Sequence, residues 1–355
     1  MQYKFLIFLS YSYGMPIALP LELEILKRGY EVKWVTYIEE TKKSIPSASA
    51  LIYKIEDAVA YKPHIVLVIA DYAPDFISGL KVQLFHGFNS DKRSINDHFN
   101  IRGFFDLYCT QGPSTTEKFK ALQKKHPHFD VIETGWSKMD PLFQDTTKII
   151  NEIPVIMIAS TFTERLSLAL KDDVYEEIKR LSQKGKYKFL CVLHPKLSKD
   201  IVTKWNALNN ENFEFIDTTD LIPLFKKADI LFADSTSAIQ EFMLTEKPIV
   251  TFRHNRPLDA YINISEVAEI ENAFDYALTY PQKNIDAIKK IADENHPYKD
   301  GKSSERVIDA CIYFLHKDKS YLNKKPLNII RKYKIRKMLG YFTFKTYRKP
   351  YTIPK

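Results

Sequence analysis

The stretch of sequence with the clearest chemical meaning is ADILFADSTSAIQEFMLTEKPIVTF, residues 228–252. An apolar strand is predicted to end at Asp234, a run of hydroxyl side chains from Ser235 to Ser237 follows, and a helix begins there. Hydroxyl and free backbone N–H groups at a helix start can bind a phosphate or pyrophosphate, aided by the helix dipole. Glu241, one to two turns later, could accept hydrogen bonds from ribose hydroxyls. The competing interpretation is that Asp234 and Ser235 only cap the helix.

A histidine at another predicted strand end offers acid–base chemistry. His86 and Gly87 end the strand KVQLFHG. A basic pair, Lys92 and Arg93, follows within a turn-rich segment. An imidazole with an unperturbed pKa of about 6.5 suits a general base, and Gly87 lets a substrate approach the backbone. Taken alone, a His-Gly pair is more often a structural feature of a sheet edge than a catalytic one.

A second histidine follows a strand later in the chain. The segment VLHPK places His194 and Lys196 on either side of a proline that directs the chain away from the sheet. An imidazole and an ammonium group in this position can bind an anion. Arg253, which follows the strand KPIVTF, is a further candidate for substrate contact. No pair of carboxylates has a clear metal-binding spacing, so we predict no divalent cation in the chemical step.

A regular scaffold must position these residues, and the sequence predicts an α/β fold. Short apolar runs such as YKFLIFL, YEVKWVTYI and HIVLVIA alternate with amphipathic stretches, which is typical of parallel strands joined by helices. The alternation restarts at PVIMIAST, after the polar stretch QDTTKIINEI. We therefore predict two Rossmann-like domains, residues 1–145 and 146–320, with parallel sheets facing a cleft. Ligands of such sheets bind at the carboxyl ends of the strands.

The positive charge of the chain is concentrated near its end. The 355 residues include 52 Lys or Arg and 44 Asp or Glu, for a formal net charge of +8. Residues 321–355 contain 11 of the basic residues and no acidic one, so the preceding residues have 41 basic against 44 acidic side chains. Apolar and aromatic side chains are interleaved with these charges, which favours contact between residues 324–355 and an anionic membrane surface. A solvated or disordered basic end is the plainer alternative.

Composition excludes several classes of protein. Hydrophobic residues make up 45% and charged residues 27% of the chain, as in globular rather than disordered or collagen-like proteins. Cys109, Cys191 and Cys311 are too far apart for a disulfide framework or a metal motif, so buried thiols in a reducing compartment are predicted. No apolar run reaches about 18 residues, the length that spans a bilayer. The first residues are predicted to form a strand, with a signal peptide as the weaker alternative.

Taken in order, the motifs resemble those of the CDP-glycerol glycerophosphotransferase family, nucleotide-dependent transferases of the GT-B fold that build teichoic acids and related capsule polymers. In that family a strand ends in HGTPLK, a later segment reads TGYPRND, a strand of the second domain ends in His-Pro, and a turn reads DYSS followed by an acidic residue. The corresponding segments here read HGFNSD, TGWSKMD, HPK and DSTSAIQE, within about residues 80–312.

The resemblance implies a role for each matching residue. It implies that His86 is the base that accepts the proton of the acceptor hydroxyl, and that His194 contacts the donor phosphates. It also implies that Thr236 and Ser237 bind the pyrophosphate and that Glu241 takes the acidic, ribose-binding position.

Three other classes compete with this interpretation. Non-hydrolysing UDP-N-acetylglucosamine 2-epimerases carry DSGGVQEE and NPYGDGKASERI, which are close to DSTSAIQE and HPYKDGKSSERV here. They rank second because Thr236 and Ser237 replace the paired glycines and because the segment SYSYGMP lacks the GTRPE motif. Glycosyltransferases that use CMP-activated Kdo have related two-domain frames and remain an alternative. A nucleic-acid-binding protein would fit the basic balance, but the tail has no zinc-knuckle or RNP pattern.

The sequence therefore predicts a metal-independent transferase. It is expected to move an alditol phosphate or a sugar from a cytidine-nucleotide donor, CDP- or CMP-linked, to a bacterial surface polysaccharide or its lipid-linked precursor. No cofactor other than the nucleotide of the donor and no nucleic-acid partner is expected. The reducing compartment and the basic tail together predict a cytoplasmic enzyme held on the inner face of the cell membrane.

Overall fold

The computed structural model of the chain describes residues 2–88, 99–144, 147 and 149–354. It contains two compact units, one formed by Met1–Phe143 with Asn295–Lys355 and the other by Gln144–Glu294. Each unit is built on a parallel β-sheet whose successive strands are joined mainly through helices. The predicted α/β class, with two Rossmann-like domains, is confirmed.

The sheet of the first unit has the strand order β3-β2-β1-β4-β5-β6-β7, and its neighbouring strands are parallel. Its strands are β1 Lys4–Phe8, β2 Glu31–Val35, β3 Leu51–Ile52, β4 Ile65–Val68, β5 Leu80–Leu84, β6 Leu107–Thr110 and β7 Asp130–Glu133. Its helices before residue 145 are α1 Met15–Lys27, α2 Glu39–Ser44, α3 Ile55–Tyr61, α4 Pro113–Lys125 and α5 Asp140–Gln144. The apolar runs KFLIF and IVLV form the central strands β1 and β4, whose side chains are almost all buried. The strand order changes direction between β1 and β4, which places a topological switch point there.

The sheet of the second unit has the strand order β10-β9-β8-β11-β12-β13, again parallel, with its switch point between β8 and β11. Its strands are β8 Val155–Ser160, β9 Lys188–Leu193, β10 Phe213–Phe215, β11 Ile230–Ala233, β12 Ile249–Phe252 and β13 Ile262–Ile264. Its helices are α6 Asp172–Lys184, α7 Lys199–Asn206, α8 Ile222–Lys227, α9 Ala238–Phe242, α10 Ile270–Leu278 and α11 Gln282–Asn295. Large aromatic side chains, among them Phe189, Trp205 and Phe274, fill its core.

After α11 the chain returns to the first unit. Helix α12, Ser303–His316, packs against α1 and against the strands β5 and β6. Its buried side includes Ile308, Cys311 and Phe314. The sequence analysis placed these residues in a second domain, residues 146–320. The structure differs because an apolar stripe shows that one side of a helix is buried but does not show against which sheet it packs.

The basic tail also packs against the first unit. Helix α13, Ile329–Leu339, contributes Ile335 to the core of that unit, where this side chain is 6% exposed. Tyr341, just beyond the helix, packs against Phe76 of the same core with the ring centroids 4.8 Å apart. This packing argues against a disordered end over α13, whereas many other side chains of the tail are solvated. Among the helices of the described residues, none has both the length and the apolar composition that crossing a membrane requires.

Buried ion pairs hold the tail on the first unit. Lys325 Nζ lies 2.7 Å from Asp106 Oδ1, and both side chains are almost fully buried. Arg336 Nη2 lies 3.0 Å and Lys332 Nζ 3.6 Å from the same oxygen of Asp75, whose side chain is 5% exposed. A charge is buried only at a high cost unless an opposite charge pairs with it. Part of the tail's positive charge is therefore neutralised inside the protein.

Candidate functional site

The second sheet brings several of the predicted phosphate-binding residues to one edge. β9 ends just before His194, β11 just before Asp234 and β12 just before Arg253. These strands lie side by side with β8, so the segments that follow β8, β9, β11 and β12 share the carboxyl edge of the sheet. We call these four segments the second-sheet edge. It includes the switch point between β8 and β11, where open α/β sheets bind ligands.

His194 is oriented by the backbone and by a neighbouring aromatic ring. The backbone N–H of Lys196 donates a hydrogen bond to His194 Nδ1 at 3.1 Å. A neutral imidazole that accepts at Nδ1 carries its proton on Nε2 and therefore acts as a donor there. Phe162 belongs to the segment after β8, and the centroid of its ring lies 4.5 Å from that of the imidazole. Lys196 Nζ lies 5.0 Å from the centroid of the Phe162 ring. Together they present an N–H group and an ammonium group suited to an anion.

Phe162 was not identified from the sequence. Its side chain is 41% exposed and belongs to the polar run TFTERLS, directly after β8. An aromatic residue in a polar segment at a strand end was the one sign in the sequence that Phe162 could be functional. The sequence did not show that β8 and β9 are neighbours, and so it did not relate Phe162 to His194.

Asp234 occupies a different place from the one predicted. Its side chain is 0% exposed, and its oxygens accept hydrogen bonds from Ser160 Oγ at 2.6 Å and from the backbone N–H groups of Thr161 and Leu168 at 3.0 Å. A buried carboxylate needs such donors, whereas an anionic phosphate would repel it. Asp234 therefore holds the segment that carries Phe162, and its predicted part in phosphate binding stays a prediction.

Ser235 is also buried and has a structural role. Its side chain is 0% exposed, and Oγ accepts a hydrogen bond from the backbone N–H of Asn255 at 3.0 Å. This bond fastens the segment after β12 to the turn after β11. Of the predicted hydroxyl run, Ser237 is exposed and Thr236 half-buried. Those two residues are the hydroxyl groups of the turn that solvent reaches.

The helix that follows the turn is short. Helix α9 covers Ala238–Phe242, and a 3-10 turn follows over Met243–Thr245. The side chain of Ser237, at the N-cap position, makes no capping hydrogen bond. Glu241 is buried, at 8% exposed. Its predicted contact with ribose stays a prediction.

Arg253 adds positive charge to the second-sheet edge. Its backbone is in the left-handed region, with φ of 49°, which is uncommon outside glycine and is found at functional sites. Its Nε donates a hydrogen bond to the carbonyl of Ser265 at 2.7 Å, and the residue as a whole is exposed. His254 and Arg256 follow in the same segment. The predicted substrate contact by Arg253 stays a prediction.

His86 follows β5 of the first sheet and is exposed. The residues on both sides are fixed: the carbonyl of Phe85 accepts a hydrogen bond from Trp136 Nε1 at 2.7 Å, and the carbonyl of Gly87 accepts one from Gln111 Nε2 at 3.1 Å. Among the described residues, no atom lies within 4 Å of the position that a Cβ on Gly87 would occupy. The two hydrogen bonds fix the backbone on both sides of His86.

Lys92 and Arg93, the basic pair predicted to contact substrate, lie outside the described residues.

The segments TGWSKMD and HPYKDGKSSERV meet in the first unit and have a structural role. Both carboxylate oxygens of Asp140 accept hydrogen bonds, at 2.7 Å, from the backbone N–H groups of Ser303 and Ser304. Asp140 therefore caps α12 and satisfies the donors at its start. Gly135, with φ of 79°, lies so close that a Cβ there would be 2.5 Å from Ser303 Oγ. The N-terminus of α12 is therefore covered by Asp140 and by the backbone at Gly135.

His296, beside this contact, predicts a pH dependence of stability. Its side chain is 0% exposed, and burial lowers the pKa of the imidazole to about 4. In the unfolded chain the ring would protonate at about pH 6.5. The free energy of unfolding of the first unit should therefore be insensitive to this group above pH 6.5, fall between pH 6.5 and 4, and level off below, at a loss of about 3 kcal/mol. Hydrogen exchange of α12 amides across this range measures the effect.

The variant His296→Gln is the matched comparison, because the amide does not titrate. Its stability should depend less on pH between 6.5 and 4 than that of the wild type. Some dependence will remain, since burial also lowers the pKa of His128 to about 4. An unchanged slope in the variant would contradict the assignment.

The three cysteines are unpaired by disulfides. Cys109, Cys191 and Cys311 are buried free thiols, as predicted. In the described residues, no three side chains of His, Cys, Asp or Glu are grouped so that they could hold a metal ion.

The fold of the two units is that of GT-B proteins. The wall teichoic acid polymerase TagF, with a TM-score of 0.63 and 17% identity, matches 88% of this chain and 88% of its own. UDP-GlcNAc 2-epimerase from Neisseria meningitidis, solved with UDP-GlcNAc bound, has a TM-score of 0.59 and 17% identity over 87% of this chain and 99% of its own. At such identities the likeness shows the fold alone.

A match to a sequence family shows a more specific relationship than the fold does. The model of the family described as UDP-N-acetylglucosamine 2-epimerase matches residues 115–312, more than half of the chain. The chain belongs to this family. The matched range covers the whole second unit and begins after His86.

Curated relatives include enzymes of teichoic acid synthesis. Teichoic acid glycerol-phosphate primase from Bacillus subtilis is 24% identical over 203 residues, which cover 50% of this chain and 50% of that protein. Teichoic acid ribitol-phosphate polymerase TarK from Staphylococcus aureus is 24% identical over 248 residues, 60% of this chain and 46% of that protein. The chain spans about half the length of these relatives. The resemblance predicted from the motifs is confirmed.

Proposed function

We propose that this protein is a transferase that moves an alditol phosphate or a sugar from a cytidine-nucleotide donor to a surface polysaccharide or its lipid-linked precursor. The observation that carries the proposal is the chemistry of the second-sheet edge. An imidazole N–H, an ammonium group and two accessible hydroxyls lie in segments of this edge, whereas the carboxylates of Asp234 and Glu241 are buried. These donors, beside two buried carboxylates, suit the phosphates of a nucleoside diphosphate.

The turn after β11 favours transfer over epimerisation. The epimerase motif quoted above has paired glycines where this chain has Thr236 and Ser237, and glycines let a backbone close on the nucleotide. Here side-chain hydroxyls stand at the two positions that reach solvent. The names of the curated relatives support the same choice and suggest a CDP-alditol as the donor.

The two units would take different parts in the reaction. His86 of the first unit accepts the proton of the acceptor hydroxyl while that oxygen forms the new bond to phosphorus or to the sugar carbon. The bond to the leaving nucleotide breaks, and its phosphate keeps the electron pair. His194 and Lys196 of the second unit offset the charge that develops on that phosphate, with Thr236 and Ser237 as further donors.

Loss of the His194 imidazole should weaken nucleotide binding. Titration calorimetry with CDP should give a Kd at least about tenfold higher for His194→Ala than for the wild type, because a charge-assisted hydrogen bond is lost. Lys196→Ala should raise the Kd severalfold.

Lys199→Ala is the matched control for this measurement. Lys199 is an exposed lysine three positions after Lys196, at the start of α7. The Kd of this variant should equal that of the wild type. Equal affinity in all four proteins, or an equal loss in Lys199→Ala, would contradict the proposed site.

The outer side of the tail suits an anionic membrane surface. Its exposed apolar residues are Leu327, Ile329, Ile330, Tyr333, Met338, Phe342 and Phe344. Its exposed basic residues are Lys324, Arg331, Lys334, Lys337, Lys345 and Lys349. Each basic residue near an anionic leaflet contributes about 1 kcal/mol, and apolar side chains add insertion. A cytoplasmic enzyme held on the inner face of the cell membrane would meet a lipid-linked acceptor there.

Charged substitutions on this outer side should abolish membrane binding. The double variant Ile329→Glu with Ile330→Glu should lose sedimentation with vesicles of mixed neutral and anionic lipid, which the wild type retains. Point variants are preferable to removal of the tail because α13 buries Ile335 in the core. Tyr313→Glu, which changes an exposed apolar residue of α12, should behave as the wild type. Retention on RNA but not on vesicles would contradict the membrane proposal.

A further inference from the structure

A stacked pair of tyrosines lies just after β1. The rings of Tyr11 and Tyr13 have centroids 5.5 Å apart and an interplanar angle of 18°. Both residues are substantially exposed, at 50% and 46%. We call this pair the tyrosine platform. No residue of the segment that carries it, SYSYGMP, takes part in the proposed transfer.

The platform occupies the switch point of the first sheet. The strands β1 and β4 are neighbours there, and the strand order runs away from them on both sides. Tyr13 also lies against the proposed base, with its ring centroid 6.0 Å from that of His86, which follows the next strand, β5. A ligand resting on the platform would therefore have its edge beside the imidazole.

The base of the platform is held by buried hydrogen bonds. Ser10, 3% exposed, shares a hydrogen bond of 2.9 Å with the hydroxyl of Tyr72, which is bonded in turn to the hydroxyl of Tyr37 at 2.6 Å. Thr41 Oγ1 donates to the carbonyl of Ser10 at 3.2 Å. On the other side Gly14 is buried, and a Cβ there would be 2.4 Å from a methyl group of Leu9. The segment is thus fixed before any ligand binds.

Polar groups of the same edge can serve hydroxyl groups. Asp71 and Arg102 form an ion pair at 2.9 Å in which both side chains are partly exposed, and Asp71 follows β4 directly after the switch point. A carboxylate accepts and a guanidinium donates hydrogen bonds. An aromatic surface with a few polar groups around it is the usual composition of a small-molecule site.

We infer that the tyrosine platform binds a pyranose ring, the sugar unit of the acceptor, with the C–H face of the sugar against the tyrosine rings and a hydroxyl beside His86. The carboxylate of Asp71 and the guanidinium of Arg102 favour a ligand rich in hydroxyl groups. A nucleobase also stacks on aromatic rings, and its binding is one of the outcomes of the experiment. Calling the sugar an acceptor rests on the proposed function, whereas its binding here requires no donor.

Saturation-transfer NMR on the full chain tests the inference without turnover. The probes are the methyl glycosides of glucose and N-acetylglucosamine, with glycerol and CMP as comparisons. We expect saturation of the sugar ring protons by the wild type and about tenfold weaker binding to the double variant Tyr11→Ala with Tyr13→Ala. The double variant Tyr11→Phe with Tyr13→Phe, which keeps both rings, should bind within about twofold of the wild type. Tyr276→Ala, at an exposed tyrosine of the second unit, should change nothing.

Three results would overturn the inference: no saturation of either sugar by the wild type, equal saturation by the double alanine variant, or a loss of CMP rather than sugar binding in that variant. Sugar binding together with an absence of CDP binding would leave the platform in place and remove the proposed function instead. The two proposals therefore fail separately.

Discussion

Replacing His86 by alanine is expected to lower the rate of transfer by about 100- to 10,000-fold while the affinity for the nucleotide stays unchanged. The imidazole is exposed at the end of β5, beside Tyr13, and the backbone on both sides is fixed by hydrogen bonds. Its removal therefore takes away the proton acceptor and leaves its surroundings intact. Single-turnover measurements with a CDP-alditol donor separate the chemical step from binding.

His126→Ala is the matched control for the loss of an exposed imidazole in the same unit. His126 ends α4, away from the loops that follow the strands at their carboxyl ends. This variant should transfer at the rate of the wild type. A His86→Ala protein that keeps most of its rate would remove the histidine from the proposed mechanism, provided that circular dichroism shows it folded.

Asp75→Asn is expected to destabilise the docked tail by about 3–5 kcal/mol, the usual cost of leaving buried charges without their partner. The carboxylate receives Arg336 and Lys332 and also a hydrogen bond from Thr346. An amide of nearly the same shape keeps the packing but leaves two cations uncompensated at a site that is almost fully buried. The expected result is faster hydrogen exchange and proteolysis throughout α13.

Asp309→Asn provides the comparison for an exposed ion pair. Asp309 pairs with Arg28, directly after α1, but the Asp309 side chain is 64% exposed, and such pairs contribute at most about 1 kcal/mol. Its exchange pattern should differ little from that of the wild type. If Asp75→Asn also left α13 protected, the ion pairs of Asp75 would not be what holds this helix on the first unit.

The strands and the fold class could be predicted because burial on both faces leaves a strong mark in the sequence. KFLIF, IVLV and VIMIAS are continuous apolar runs, and the structure places them at β1, β4 and β8 in the middle of the two sheets. The ends of these strands followed directly. So did the position of His86, His194 and the hydroxyl turn at carboxyl edges, since loops after parallel strands lie there.

Side-chain direction was the part that sequence could not supply. Asp234 stands beside a hydroxyl run and was predicted to face a ligand or cap a helix, but its carboxylate is turned towards the backbone after β8. That segment is more than 60 residues earlier in the chain. Phe162 was missed for the same reason, because its partner His194 follows a different strand. Contacts between distant segments decide both cases.

The tail illustrates the same limit for charge. Its composition indicated a basic surface segment, and six of its basic residues are indeed exposed: Lys324, Arg331, Lys334, Lys337, Lys345 and Lys349. The acidic partners of the buried cations are Asp75 and Asp106, which come much earlier in the chain. Counting charges along the sequence cannot separate a cation that faces solvent from one that is paired inside. The buried pairs fix the helix, and the exposed residues remain for a partner.

Thermal shift with a panel of nucleotides tests the central claim most directly. The panel contains CDP, CMP, UDP and GDP together with CDP-glycerol, CDP-ribitol and UDP-N-acetylglucosamine, each at the same excess over the protein. Ligands that bind the folded state raise Tm, and at equal concentration a tighter ligand raises it more. We expect the cytidine compounds to raise Tm in the wild type and much less in His194→Ala. Stabilisation by UDP-N-acetylglucosamine alone would contradict the transferase and leave the epimerase activity after which the family is named.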